Sequence, residues 1–155
     1  MEARIPNPAI TIPGLFDALQ ALGATTNVEG LPTEIRELVA LRASQINGCS
    51  VCLDMHTRGA KKNGESDERL FTLAAWRETP YFSDAERAAL ALTEAATRLS
   101  DRADPVPDDV WNDAAEHFDE PALAALVVTI AAINLWNRLN IVTGQIAGEW
   151  TAQWA

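Results

Sequence analysis

Cys49, Cys52 and His56 stand three and four residues apart, the spacing of one helical stripe. On a helix such positions are neighbours, with Cβ atoms about 5–6 Å apart. Cys49 directly follows Asn47-Gly48, a helix-breaking pair that tolerates left-handed backbone. A new helix is therefore predicted to run from about Cys49 to Lys62. Free N–H groups and the positive dipole end at its start favour thiolate over thiol. His56, one turn beyond Cys52, is placed to exchange a proton with that sulfur. Such a set supports a cycle between dithiol and disulfide. Disulfide Cβ atoms approach to about 3.8 Å, closer than helical neighbours, so a bridge within the helix is expected to strain its first turn. Strained, accessible disulfides are the easily reduced ones.

An acid partner is less obvious. Glu37 and Ser44 lie seven apart on the preceding helix and share a face. If the break at Gly48 folds the two helices together, Glu37 approaches the stripe and its carboxylate would orient the His56 ring. A solvated acid near a helix start is the equal alternative for Glu37. Ser44 reads as a packing residue and His117 as a helix-end residue. Trp76, Trp111, Trp136, Trp150 and Trp154 read as packing anchors. Asn134, Asn137 and Arg138 place polar groups in an apolar helix, where they either line the site or form a satisfied buried network. Two rival readings of the motif stay open. Cys49, Cys52, His56 and Glu37 could hold zinc in a structural module, although no second Cys/His pair completes the usual pattern. The cysteines could also be plain core residues.

The elements that must position these residues are helical. The 155-residue chain is 48% hydrophobic, enough for one domain with its own core. Alanine and leucine dominate, and no stretch sustains period-two alternation. Residues 1–30 form an irregular segment with short helical pieces, and residues 31–155 form the helical domain that carries the motif. Helices are predicted from Leu15 to Leu22, from Thr33 to the break at Asn47-Gly48, from Ser66-Asp67 through Trp76, and from the capping box Ser83-x-x-Glu86 to about Leu99. Two more run from Pro107 through Ala115 and from Ala122 to about Thr143. The last is apolar nearly all round between Leu123 and Ile133, which suits a bundle centre or a subunit interface. The net charge of −10 argues against nucleic acid and anionic membranes as partners. The start of the chain lacks the apolar run of a signal peptide, and Pro121 to Ile133 is too short to span a bilayer. The cytoplasm is the expected compartment.

Glu37, followed by Arg42-x-Ser44-x-x-Asn47-Gly48-Cys49-x-x-Cys52-x-x-x-His56, resembles the core of the alkylhydroperoxidase D-like (AhpD-like) proteins of the carboxymuconolactone decarboxylase superfamily. The helix pattern and Asn134-x-Trp136-Asn137-Arg138 extend a looser likeness over most of the chain. The resemblance implies an all-α helical bundle assembled as a homo-oligomer, a trimer or hexamer. It also implies a thiol-dependent peroxidase whose redox centre is the Cys49–Cys52 pair. A small-molecule peroxide is reduced, an external dithiol or protein reductant restores the thiols, and no further cofactor or metal is used. An acid twelve residues before the first cysteine belongs there to a proton relay with the histidine, and Glu37 occupies that spacing. Cys52, with His56 as its i+4 neighbour, is then the attacking sulfur; Cys49 resolves and meets the reductant. The dipole argument alone would reverse that order. The alkylhydroperoxidase proper carries a further histidine immediately before the second cysteine, where this chain has Val51. A dithiol oxidoreductase with an oxidant other than peroxide is the corresponding alternative. Decarboxylase members lack the cysteine pair.

Overall fold

The computed structural model of the chain describes residues 1–149. Among them every regular element is helical: α1 (Pro8–Thr11), α2 (Leu15–Ala24), α3 (Thr33–Asn47), α4 (Ser50–Lys62), α5 (Asp67–Thr72), α6 (Asp84–Thr97), α7 (Asp108–His117) and α8 (Glu120–Thr143). The all-α expectation holds. Trp150 and Trp154, read as packing anchors, lie outside the described residues.

Local sequence accounts for most boundaries. Ser83 and Glu86 form the reciprocal capping box that opens α6. Asp119 opens α8 by accepting the Ala122 N–H at 3.0 Å. Helix α3 ends on Gly48 at φ 74°, and the Ser44 carbonyl accepts the N–H groups of both Gly48 and Cys49. A side chain at Gly48 would meet no atom within 4 Å. The left-handed backbone, not crowding, requires glycine there. One element departs from its sequence reading. The helix predicted through Trp76 tightens after Thr72 into a 3₁₀ stretch, Leu73–Glu78, with non-helical backbone at Ala75. That tightening turns Leu73 and Trp76 inward, where burial outweighs helical regularity.

Helix α3 is the hub. Its Ile35 and Val39 pack with Leu92, Leu126 and Ile130 of α6 and α8. Its Leu38 and Leu41 face Leu70, Leu73, Trp76 and Leu90. The third side carries Ala40 and Ala43, small enough to let Cys49, Val51, Cys52 and Ile133 close over it. Helix α8 has 24 residues and a mean hydropathy of 1.6 over its most apolar window, so by length and composition alone it could cross a membrane. In sequence its apolar stretch reads as too short for that. In the fold α8 is a core helix: Leu123, Leu126, Ile130 and Ile133 are buried, and the same stripe continues as Asn134, Asn137 and Asn140. Its outer side exposes Val127, Leu135 and Val142. Residues 1–30 fold back on the end of α8. The Arg4 N–H donates to the Thr143 carbonyl at 2.8 Å, and Phe16 meets Trp136 edge-on.

One buried ion cluster braces the bundle. Glu94 on α6 accepts from Arg42 Nε at 2.7 Å, Trp76 Nε1 at 3.0 Å and Arg77 Nη1 at 2.6 Å. Burial pushes its carboxyl up, but the hydrogen bonds from Arg77, Trp76 and Arg42 outweigh this and hold it below the ordinary carboxylate range. A carboxyl lowered on folding stabilises the fold above its unfolded pKa and loses that contribution as pH falls through its folded value. The melting temperature should therefore fall below about pH 4. Glu94→Ala should cost about 3–5 kcal/mol at neutral pH, because Arg42 is left buried and unpaired. Urea denaturation of both proteins at pH 7 and at acid pH checks this: the gap between them should narrow as pH falls.

Candidate active site

The turn at Gly48 folds α4 back against α3 and sets the two cysteines. Cys49 is not inside α4 but caps it, with extended backbone at φ −83° and ψ 96°. Its sulfur accepts the Cys52 N–H at 3.3 Å. The two sulfurs are bonded to each other, across a Cα–Cα distance of 5.4 Å. Cys49 thus stands at the helix start after the break, as expected, but as the cap residue rather than in the first turn. Extended backbone at the cap position brings the cysteines together while α4 begins intact at Ser50. Both sulfurs are buried, with Cys49 1% and Cys52 3% exposed.

His56 and Glu37 come together as the spacing suggested. The Glu37 carboxylate accepts from His56 Nδ1 at 2.8 Å, across the α3–α4 junction. That contact fixes the ring and leaves Nε2 for chemistry. Gly59, one turn beyond His56, lies against this carboxylate; a Cβ there would sit 3.5 Å from Glu37 Oε2. Cys52, His56 and Glu37 all line one cavity of about 420 Å³. Cys49 does not line it. The sequence reading gave Cys49 the meeting with the reductant, whereas Cys52 is the cysteine that lines the cavity. Val51, where the alkylhydroperoxidase proper carries histidine, contributes an apolar wall. Phe16, Met55, Ile133 and Trp136 extend that apolar lining.

Sequence reasoning missed Asn140. Its side-chain N–H donates to Cys52 Sγ at 3.3 Å and lies 3.9 Å from Cys49 Sγ. Asn7, from the N-terminal segment, donates to Asn140 Oδ1 at 2.7 Å and so orients that amide. The available signal was the polar ladder Asn134, Asn137, Asn140 at intervals of three in an apolar helix. Asn134 and Asn137 serve a different purpose. Asn47 Nδ2 donates to both their side-chain oxygens, at 3.0 and 2.8 Å, and Asn137 donates to Ser44 Oγ at 3.0 Å. This satisfied network ties the Gly48 turn to α8 and makes Ser44 a structural residue. Trp136, read as a packing anchor, is a cavity wall. His117 ends α7, 4.0 Å from Asp113 and away from the site. Among the described residues no three His, Cys, Asp or Glu side chains converge as a metal ligand set.

A donor aimed at sulfur favours thiolate. Asn140→Leu should slow alkylation of the reduced Cys52 by iodoacetamide at neutral pH about tenfold. Asn7→Ala, which only frees the amide to turn, should slow it less. Peptide mapping of alkylation time courses on the Cys49→Ser background measures both.

The family model described as the carboxymuconolactone decarboxylase family matches residues 13–95. The chain is 44% identical over 114 residues to the uncharacterized protein YdfG of Bacillus subtilis, spanning 74% of this chain and 76% of that one. A crystal structure from Agrobacterium tumefaciens superposes with a TM-score of 0.86 at 34% identity, covering 94% of this chain and 98% of its own. That protein is named as one of unknown function and a candidate antioxidant defence protein AhpD. The debrominase Bmp8 shares the fold, with a TM-score of 0.72 at 21% identity over 96% of this chain and 75% of its own. With this fold, this motif and these relatives, the chain belongs to the carboxymuconolactone decarboxylase family, on its AhpD-like side.

Proposed function

We propose that the protein is a thiol-dependent peroxidase that reduces hydroperoxides through Cys52 and Cys49. The observation that carries this reading is that Cys52 shares a cavity with His56, whose ring is held by Glu37. Of the two cysteines, only Cys52 lines that cavity. In the reduced protein the Cys52 thiolate attacks the terminal oxygen of the hydroperoxide. The O–O bond breaks, the alcohol leaves with a proton passed by His56, and Cys52 becomes a sulfenic acid. The Cys49 thiol then displaces hydroxide from that sulfur, water is released, and the disulfide forms. An external dithiol attacks Cys52, freeing Cys49. The donor's second thiol then attacks the donor sulfur of the mixed disulfide, expelling Cys52 as a thiol, and the donor leaves as a disulfide. Two electrons pass from dithiol to peroxide in each cycle.

The cytoplasm, a reducing compartment, suits an enzyme that needs a dithiol donor. Assembly into a homo-oligomer belongs to the same proposal, supported by the exposed Val127, Leu135 and Val142 on α8.

The test is stoichiometric. Reduced protein should present two titratable thiols, and one equivalent of organic hydroperoxide should remove both. Peroxide consumption should then continue with a panel of small-molecule and protein dithiols. Thiols that survive the peroxide, or that react no faster than free cysteine, would sink the proposal. Stoichiometric zinc with unreactive thiols in protein purified under reducing conditions would replace it with the structural-module reading.

A further inference from the structure

The cavity beside Cys52 is apolar over most of its wall, yet it holds one guanidinium. Among the described residues that line it, Arg36 is the sole arginine or lysine. Acids outnumber lysine and arginine by 22 to 12 in this chain, and Arg42, Arg58, Arg69 and Arg77 all have carboxylate partners. Arg36 has none among the described residues. Its Nη2 donates only to neutral oxygens, Asn27 Oδ1 at 3.1 Å and Thr33 Oγ1 at 2.8 Å. Its Nε is buried without any hydrogen-bond partner. A buried donor left unpaired is costly, and a cation with only neutral partners on an apolar cavity keeps its full attraction for an anion. Glu37, next in the chain, lines the same cavity but makes no ion pair with Arg36; its carboxylate is hydrogen-bonded to His56.

Resting on the peroxidase reading, we infer that the physiological substrate is an apolar hydroperoxide bearing a carboxylate. Its hydrocarbon body lies against Phe16, Ile133 and Trp136, its carboxylate meets Arg36, and its peroxide reaches Cys52. The carboxylate would pair with the guanidinium where Arg36 lines the cavity, not with the buried Nε, and a guanidinium matches its planar geometry better than an ammonium would. The cavity selects for a substrate that is apolar in the middle and anionic at one end, and against hydrogen peroxide, which fills neither part.

The experiment compares linoleic acid hydroperoxide with its methyl ester hydroperoxide, on the same preparations of wild type, Arg36→Met and Arg36→Lys. In wild type kcat/KM should favour the acid by about tenfold, the equivalent of one charge-assisted contact. Arg36→Met should bring the ratio of acid to ester close to one, and Arg36→Lys should restore part of it. A partly unfolded variant lowers both rates and leaves the ratio readable. A wild-type ratio near one, or a ratio unchanged in Arg36→Met, overturns the inference. Calorimetric titration of the oxidised protein with linoleate and with linoleyl alcohol separates the binding site from the reaction. If neither hydroperoxide is consumed but linoleate binds more tightly than the alcohol in wild type and not in Arg36→Met, the peroxidase reading falls and the carboxylate site stands. Linoleate binding no tighter than the alcohol removes the site.

Discussion

Cys52→Ser should abolish peroxide consumption, with kcat/KM falling by about a thousandfold or more, while Cys49→Ser should complete one turnover and stop. The asymmetry follows from the geometry. Cys52 lines the cavity and Cys49 does not, although the two are bonded. In Cys49→Ser the Cys52 sulfur still meets the peroxide, with Asn140 still donating to it, but no thiol stands beside it to condense. A sulfenic acid should therefore persist on Cys52 and be trapped by dimedone, one adduct per chain, mapped to the peptide containing Cys52. In Cys52→Ser no adduct should form, because Cys49, the buried cap residue of α4, does not line the cavity. Both variants should fold. A bridge between residues three apart closes a very short loop, so its loss returns little entropy to the unfolded chain. A serine hydroxyl at either position is small enough for the site and can pair with the Asn140 amide. An adduct on Cys49 in the Cys52→Ser protein, with peroxide consumption retained, would reverse the order of attack. That is the order favoured by the helix dipole alone, since Cys49 sits at the positive end of α4. Cavity access and dipole thus make opposite predictions.

How much of this was legible in the sequence depended on the range of the interaction. Gly48 and the Ser83–Glu86 capping box are local patterns that appear in the fold; of the Cys49–Cys52–His56 stripe, Cys52 and His56 share α4 and the cavity, while Cys49 caps the helix. Glu37 was legible at one remove. Its distance from Cys49 marked it through the family resemblance, but its contact with His56 needed the turn at Gly48 to reverse the chain. The contact between Asn140 and Asn7 was not legible, because 133 residues separate the two amides that meet. No local period encodes such a contact. The same holds for Trp136, which becomes a cavity wall only because α2 brings Phe16 against it. The position of Cys49 was misjudged by a single residue. Taking the helix to begin on the cysteine rather than after it placed Cys49 in the first turn, whereas its backbone is extended.

Glu37→Gln should lower the rate of Cys52 oxidation by peroxide about a hundredfold, within the range usual for a positioned acid–base group. The carboxylate is the hydrogen-bond partner that holds His56, at 2.8 Å, and it does so from a different helix. Glutamine fills the same space beside Gly59 and can still accept from Nδ1, so it preserves the packing while removing the charge that steadies the ring when Nε2 takes a proton. Glu37 also borders a second cavity of about 310 Å³, which it shares with the charged residues Glu34, Glu65, Arg69 and Glu86. Glu37 thus stands between His56 and that second cavity, on the route a proton relayed by His56 would take. If the two residues act as one relay, His56→Ala should cost at least as much as Glu37→Gln. The double variant should then be no slower than His56→Ala alone, since the carboxylate works only through the ring. Stopped-flow oxidation of the reduced proteins by one hydroperoxide, with melting temperatures as the control for folding, measures all three. Additive losses would mean that Glu37 acts on the site independently of His56, and a Glu37→Gln rate within twofold of wild type would remove it from the relay.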